Sequence, residues 1–201
     1  MNWDHEHGTI RIRKMNVGDY DNCSYVVACA DTSKAVIVDA AAEADTILAA
    51  CAGLDVQSIL TTHGHWDHIQ VLDEVKDALG IPWLLHLDDV EIAGRTPDEP
   101  LADGQQITVG SFALHVIHTP GHTPGSVSFV LETAVFSGDT LFPGGPGATR
   151  WDYSSFGQIM DSVEQRLLTL PDPTVVLPGH GTSTTVGAER PHAPEWRAGG
   201  W

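Results

Sequence analysis

The sequence predicts an α/β layered fold, and three observations carry that expectation. Short apolar runs rich in β-branched residues alternate with stripes at helical spacing over residues 24–87. Residues 105–138 then switch to strands split by tight turns. A strong helix and a last apolar strand follow, in a chain of 201 residues that is 42% hydrophobic, which is enough for one domain with a real core over 1–201.

Taken in order, residues 9–16 and 24–30 read as strands, with GDYDN as the turn between them. AVIVDA (35–40) reads as a buried strand because it is short, apolar and β-branched. Ala44, Ile47, Leu48 and Cys51 recur at helical spacing, and Gly53 marks the stop. SILTT (58–62) is the next strand, and Leu72, Val75 and Leu79 share the face of a helix ending at Gly80. IPWLLHL is a further strand, giving the β-α-β-α-β order of an α/β layer. Residues 88–104 are acidic, carry Pro and Gly, and read as loop or a short helix. QQITV, SFALHVIH, SVSFVL and AVFSG are strands, followed by a Gly-rich loop, GGPGATRWDYSS. Phe156, Ile159, Met160, Val163, Leu167 and Leu170 form one helical stripe, with Ser155 and Gln158 at capping-box spacing and Pro171 at the stop. TVVLPGH is the last strand, and the tail reads as a short helix and a loose end.

Ten Lys and Arg against 27 Asp and Glu give a formal charge of −17. Such a surface repels phosphate backbones and anionic lipid, so neither nucleic acid nor a membrane is an expected partner. Cys23, Cys29 and Cys51 cannot all pair within the chain and none has CxxC spacing, which disfavours a disulfide scaffold or a thiolate zinc site. The start lacks the apolar stretch of a signal peptide, and no run approaches the ~20 residues that span a bilayer. A reducing cytoplasm is the expected compartment.

The chemistry gathers where strands end. SILTT runs into His63, His65, Asp67 and His68; LHVIHTPG into His122; AVFSG into Asp139; TVVLPG into His180. Strand carboxyl ends in an α/β sheet face a common crevice, so one sheet edge is expected to collect all seven. Alone, a histidine such as His180 is more often a hydrogen-bonded surface or core residue, and Asp67 reads equally as a helix cap. Four separate strand ends carrying suitable donors point instead to metal ligation. Neutral imidazoles and carboxylates suit zinc, and also iron or manganese. His5, His7, His86, His115, His118 and His192 show no such pattern and read as ordinary histidines.

HGHWDH resembles the HxHxDH motif of the metallo-β-lactamase superfamily, and HTPGHTPG, SGDTLF and LPGHG resemble its later motifs in order and spacing. The resemblance runs from about residue 10 to about residue 190, and Asp39 in IVDA matches an early aspartate usually buried beside the metals. It implies an αββα sandwich: two sheets face to face with helices outside. Within the superfamily the chain is most similar to the glyoxalase II group, the hydroxyacylglutathione hydrolases and their single-domain relatives. Carried over by motif, one divalent metal takes His63, His65 and His122, the other takes Asp67, His68 and His180, and Asp139 bridges them. The true β-lactamases resemble the pattern less well, because they lack the bridging aspartate. The helical C-terminal domain of larger glyoxalase II enzymes has no counterpart in residues 181–201. Arg150 lies near where the family places a basic thiol-binding residue.

The resemblance implies two metals, zinc first, about 3.5 Å apart, lowering the pKa of a shared water to near 7. The resulting hydroxide attacks the acyl carbon of a small-molecule thioester. A thiolate leaves with little need of protonation, so no extra general acid is required, and Asp67 serves as ligand and proton acceptor. Gly64 is read as easing a tight turn and Trp66 as a pocket wall. Persulfide dioxygenases resemble the sequence closely and imply an alternative, one iron held by His63, His122 and Asp139. A lactonase is a third reading, and a non-catalytic metal-binding or regulatory protein is the alternative outside enzymes.

Overall fold

A computed structural model describes residues 2–199. Its first sheet holds seven strands in sequence order: β1 (His5–His7), β2 (Ile10–Val17), β3 (Asn22–Cys29), β4 (Lys34–Val38), β5 (Asp55–Leu60), β6 (Trp83–His86) and β7 (Glu99–Leu101). Pairing is antiparallel from β1 to β4 and parallel from β4 to β7. The parallel part is crossed by α1 (Ala44–Ala50) and α2 (Leu72–Leu79), and α3 (Val90–Ala93) follows β6. The second sheet uses β8 (Gln106–Val109), β9 (Phe112–His118), β10 (Val127–Val130) and β11 (Ala134–Gly138). A small ribbon, β12 (Leu141–Phe142) with β13 (Gly145–Pro146), precedes α4 (Phe156–Ser162). Strands β14 (Val175–Pro178) and β15 (Thr184–Thr185) complete that sheet in the order β15-β14-β11-β10-β9-β8, and α5 (Val186–Glu189) and α6 (Ala193–Gly199) end the described chain.

Side-chain alternation explains the layers. Successive residues of a strand face opposite sides, yet AVIV in β4 is buried throughout. Val36 and Val38 point between the sheets, with Ile12, Tyr25, Leu60, Leu114, Phe129 and Phe136. Ala35 and Ile37 point the other way, against Ile47, Leu72 and Val75 of α1 and α2. Strand β11 does the same from the second sheet: Phe136 faces the first sheet, and Val135 meets Met160 and Val163. Three apolar layers therefore alternate with four structural ones, the αββα sandwich.

Three expectations are corrected. Residues 88–104 are not only loop or helix: Glu99–Leu101 form β7, fixed where the Trp83 N–H donates to Asp98 Oδ2 at 2.8 Å. The last helical stripe is not one regular helix, since it widens into a π turn over Val163–Leu167 while keeping Val163 and Leu167 buried. Ser155 caps α4 by accepting the Gln158 N–H at 3.3 Å, but its own N–H donates to the Gly121 carbonyl, tying the helix start to the loop before His122.

Candidate metal centre

The expectation of one collecting sheet edge is also corrected: two sheets supply the site. His63, His65, Asp67 and His68 follow β5 of the first sheet, whereas His122, Asp139 and His180 follow β9, β11 and β14 of the second. Asp39, just after β4, anchors the first set. It is buried and has φ 58, an uncommon left-handed backbone for a residue with a Cβ. Its carboxylate accepts the Thr62 N–H at 2.7 Å, the Thr62 hydroxyl at 2.8 Å and the His68 Nδ1–H at 2.9 Å.

These contacts set the tautomers. Because Thr62 donates its hydroxyl proton to Asp39, its oxygen accepts from His63 Nδ1 at 3.1 Å. His122 Nδ1 donates to the Ala148 carbonyl and His180 Nδ1 to the Tyr20 carbonyl, each at 2.8 Å. A carbonyl or carboxylate accepts only, so the neutral forms of His63, His68, His122 and His180 all turn an Nε2 lone pair inward. His65 is reversed: its Nε2 meets the Tyr153 hydroxyl at 2.8 Å and its Nδ1 faces inward.

The inward atoms form two groups. His65 Nδ1 lies 3.0 Å from both His63 Nε2 and His122 Nε2. His68 Nε2 lies 3.2 Å from His180 Nε2 and 3.9 Å from Asp67 Oδ2, which is 3.5 Å from His180. Asp139 stands between the groups: Oδ1 is 3.5 Å from His68, and Oδ2 is 3.5 Å from His122 and 3.4 Å from His180. Asp139 Oδ1 is buried without a hydrogen-bond partner among the described residues. Converging lone pairs beside an unpartnered carboxylate oxygen repel one another unless cations lie among them, and N/O donor sets of this kind suit divalent metals. The residues therefore fit metal binding.

Without metal the two groups titrate in opposite directions. Burial, then the neighbouring imidazoles, pushes His63 well below the usual histidine range, and burial and His122 lower His65 to about 4. Burial also lowers His122. Burial works against His68 too, but Asp139 and Asp39 outweigh it and raise it to about 9. His180 is likewise raised against its burial by its contact with Asp139. Asp139 is held below the usual carboxylate range by His68 and its other imidazole neighbours, despite its burial.

A cavity of about 810 Å³ opens over the centre. Tyr20, Trp66, Phe142, Trp151 and Tyr153 wall it, so Trp66 does line the pocket. Arg150 is the one Lys or Arg among the described lining residues, with its guanidinium 4.9 Å from the centre of the Trp151 ring. Gly64 departs from its expected role. Its φ is not positive, and a Cβ there would lie 2.7 Å from the Asp89 carbonyl oxygen, so close approach rather than turning requires glycine. His86 and His118, with Asp88, could also be taken for a metal group. Their rings stack 4.5 Å apart at 9°, however, so their lone pairs run parallel rather than converging.

Sequence reasoning missed three supports. Asn22, read as part of a turn, begins β3 and donates to the Asp67 carbonyl at 3.0 Å and to Asp67 Oδ2 at 3.1 Å. Tyr153 was legible only as part of a Gly-rich loop. Asp89 follows the run WLLHL, so the strand-end rule reaches the pair Asp88 and Asp89 without choosing between them.

Comparisons with known proteins agree with this geometry. The chain is 37% identical over 161 residues to a probable metallo-hydrolase of Bacillus subtilis, covering 71% of this chain and 76% of that one. It is 29% identical over 195 residues to hydroxyacylglutathione hydrolase GloC of Haemophilus influenzae, covering 86% and 91%. The BLEG-1 B3 metallo-beta-lactamase superposes with a TM-score of 0.82 at 33% identity, over 92% of this chain and 98% of that one. TTHA1623 in a di-iron-bound form gives 0.79 at 32% identity, over 89% and 96%. The sequence pattern of the metallo-beta-lactamase superfamily matches residues 18–180, and the chain belongs to that family.

Proposed function

We propose that this chain is a dinuclear metal-dependent hydrolase that cleaves a thioester of a small cellular thiol. One observation carries the reading: five imidazoles turned inward by their outer partners, with the unpartnered Asp139 oxygen between the two groups. His63, His65 and His122 would hold one metal, Asp67, His68 and His180 the other, and Asp139 both. Such a metal pair, when bound, polarises a carbonyl and activates water at neutral pH. The relative named hydroxyacylglutathione hydrolase supports the thioester, and the di-iron neighbour supports a pair of metals with iron as an option beside zinc.

The chain's own residues do the rest. Asn22 fixes the Asp67 carboxylate, which would accept a proton from the attacking water. The aromatic walls exclude water and hold the apolar part of the substrate, and the thiol is glutathione, bacillithiol or mycothiol; Arg150 meets the carboxylate of either of the first two, mycothiol having none. A leaving thiolate needs no proton, consistent with a pocket whose lining imidazoles and carboxylates are all assigned as ligands. Metal content on protein purified without chelator, measured beside a thioester panel and an oxygen electrode, tests the reading. Two metals per chain with oxygen-independent thioesterase activity are expected. One tightly bound iron with persulfide-dependent oxygen uptake would overturn it in favour of a dioxygenase.

A further inference from the structure

Asp89 has no solvent exposure and no cationic partner at hydrogen-bond distance among the described residues, yet it lies beside the candidate metal centre. Its Oδ2 accepts the Gly64 N–H at 2.7 Å and the Thr123 hydroxyl at 2.7 Å; its Oδ1 accepts the Gly125 N–H at 2.6 Å. Gly64 sits between His63 and His65, while Thr123 to Gly125 directly follow His122. One carboxylate therefore joins a first-sheet loop to a second-sheet loop. Both glycines are pressed against it: a Cβ on Gly64 would lie 3.1 Å from Asp89 Cβ, and one on Gly125 would lie 2.7 Å from Asp89 Oδ1. Although Asp89 precedes α3, its side chain makes no cap there. No contact of this carboxylate reaches Asp67, His68 or His180.

We propose that Asp89 is the positioning residue for the His63, His65 and His122 group alone, locking the two loops that carry it while leaving the Asp67, His68 and His180 group to other supports. The inference rests on the metal assignment above. An ionised carboxylate accepts from all three donors at once. An amide oxygen satisfies only one side and turns its own N–H groups towards the other, so Asp89→Asn breaks the clamp without removing volume.

The test compares zinc affinity by chelator competition in two backgrounds. His180→Ala leaves the clamped group intact, and His122→Ala leaves the other. Adding Asp89→Asn is expected to weaken zinc binding about 10–100-fold in the first background, the scale of lost support around ligands, and to change it less than about 2-fold in the second. Metal-free melting of each variant separates a general loss of stability, which would lower both affinities. Equal losses in both backgrounds, or none in either, would overturn the proposal while leaving the hydrolase reading standing. A wild-type chain that takes up no zinc would overturn both. If Asp89→Asn does not fold, Thr123→Val, which removes one of the three donors, is expected to give a smaller loss confined to the same background, and no such loss would overturn the proposal.

Discussion

The two groups of candidate ligands hold similar residues but are backed by different chemistry. Behind His63, His65 and His122 stand a threonine hydroxyl, a tyrosine hydroxyl and a backbone carbonyl, all neutral. Behind His68 stands the Asp39 carboxylate, and the second group includes a carboxylate of its own, Asp67. Burial without charge disfavours the imidazolium; burial beside carboxylates favours it. Hence His65, buried beside His122, falls to about 4, whereas Asp139 first and then Asp39 raise His68 to about 9 in the metal-free protein. The first group stands ready for a cation at neutral pH, whereas the second must first release a proton.

The largest expected effect erases the distinction. Asp139→Ala removes the carboxylate that contacts both groups, and should lower kcat/KM on the order of 10³-fold, since a bound metal supplies several kcal/mol. Both metal content and turnover should be measured; a variant with two metals and full activity would sink the bridging role.

Asp39→Asn sharpens the distinction by removing the charge behind His68. Affinity in the second group should fall about 10–100-fold, and the proton on His68 should leave at lower pH, as followed by NMR titration of the metal-free protein. An unchanged His68 titration would show that Asp139 alone holds that proton.

The opposed titrations also predict stability. His68 binds its proton more tightly folded than unfolded, so its contribution is full below pH 6.5 and is lost as pH rises towards about 9. His65 binds its proton less tightly folded, so stability is lost as pH falls from 6.5 towards about 4. Chelator-treated protein should therefore melt at a lower temperature at about pH 8.5 than at about pH 7, both inside the window from 6.5 to about 9 over which the His68 contribution is lost, and zinc addition at about pH 7 should release protons from the second group. Melting that is flat across this window would break the contrast.

Arg150→Ala should act least and outside the comparison, because neither group touches it. Its guanidinium is exposed, so KM should rise by no more than about 5-fold with kcat little changed. A fall in kcat with constant KM would place Arg150 in the chemical step instead.

Much of this was legible in the sequence because strand ends announce themselves. An apolar run stopping at His63, Asp139 or His180 requires only local pattern. The helical stripes of Ile47 and Val75 were equally local. What stayed hidden depends on burial that no local pattern encodes. Nothing in DDVEIAG separates exposed Asp88 from buried Asp89, and nothing in GDYDN separates the turn from Asn22, which grips Asp67. The division of the site between two sheets was not legible from periodicity, since alternating apolar runs look alike in either sheet. Strand β7 was missed because three residues, one of them proline, carry too little pattern to be read as a strand.

Gly179, just before His180, marks how this site can change. A Cβ there would collide with Asp139 Oδ1 and sit 2.7 Å from His68 Cε1. Position 179, packed against Asp139 and His68, thus admits no side chain, not even a methyl, and cannot be retuned by gradual substitution. Trp66 at the rim is 59% exposed and Tyr20 61%, in edge-to-face contact at 5.7 Å. New substrate preferences in this scaffold, whether selected or engineered, have to be written on that rim, over a floor that keeps its chemistry constant.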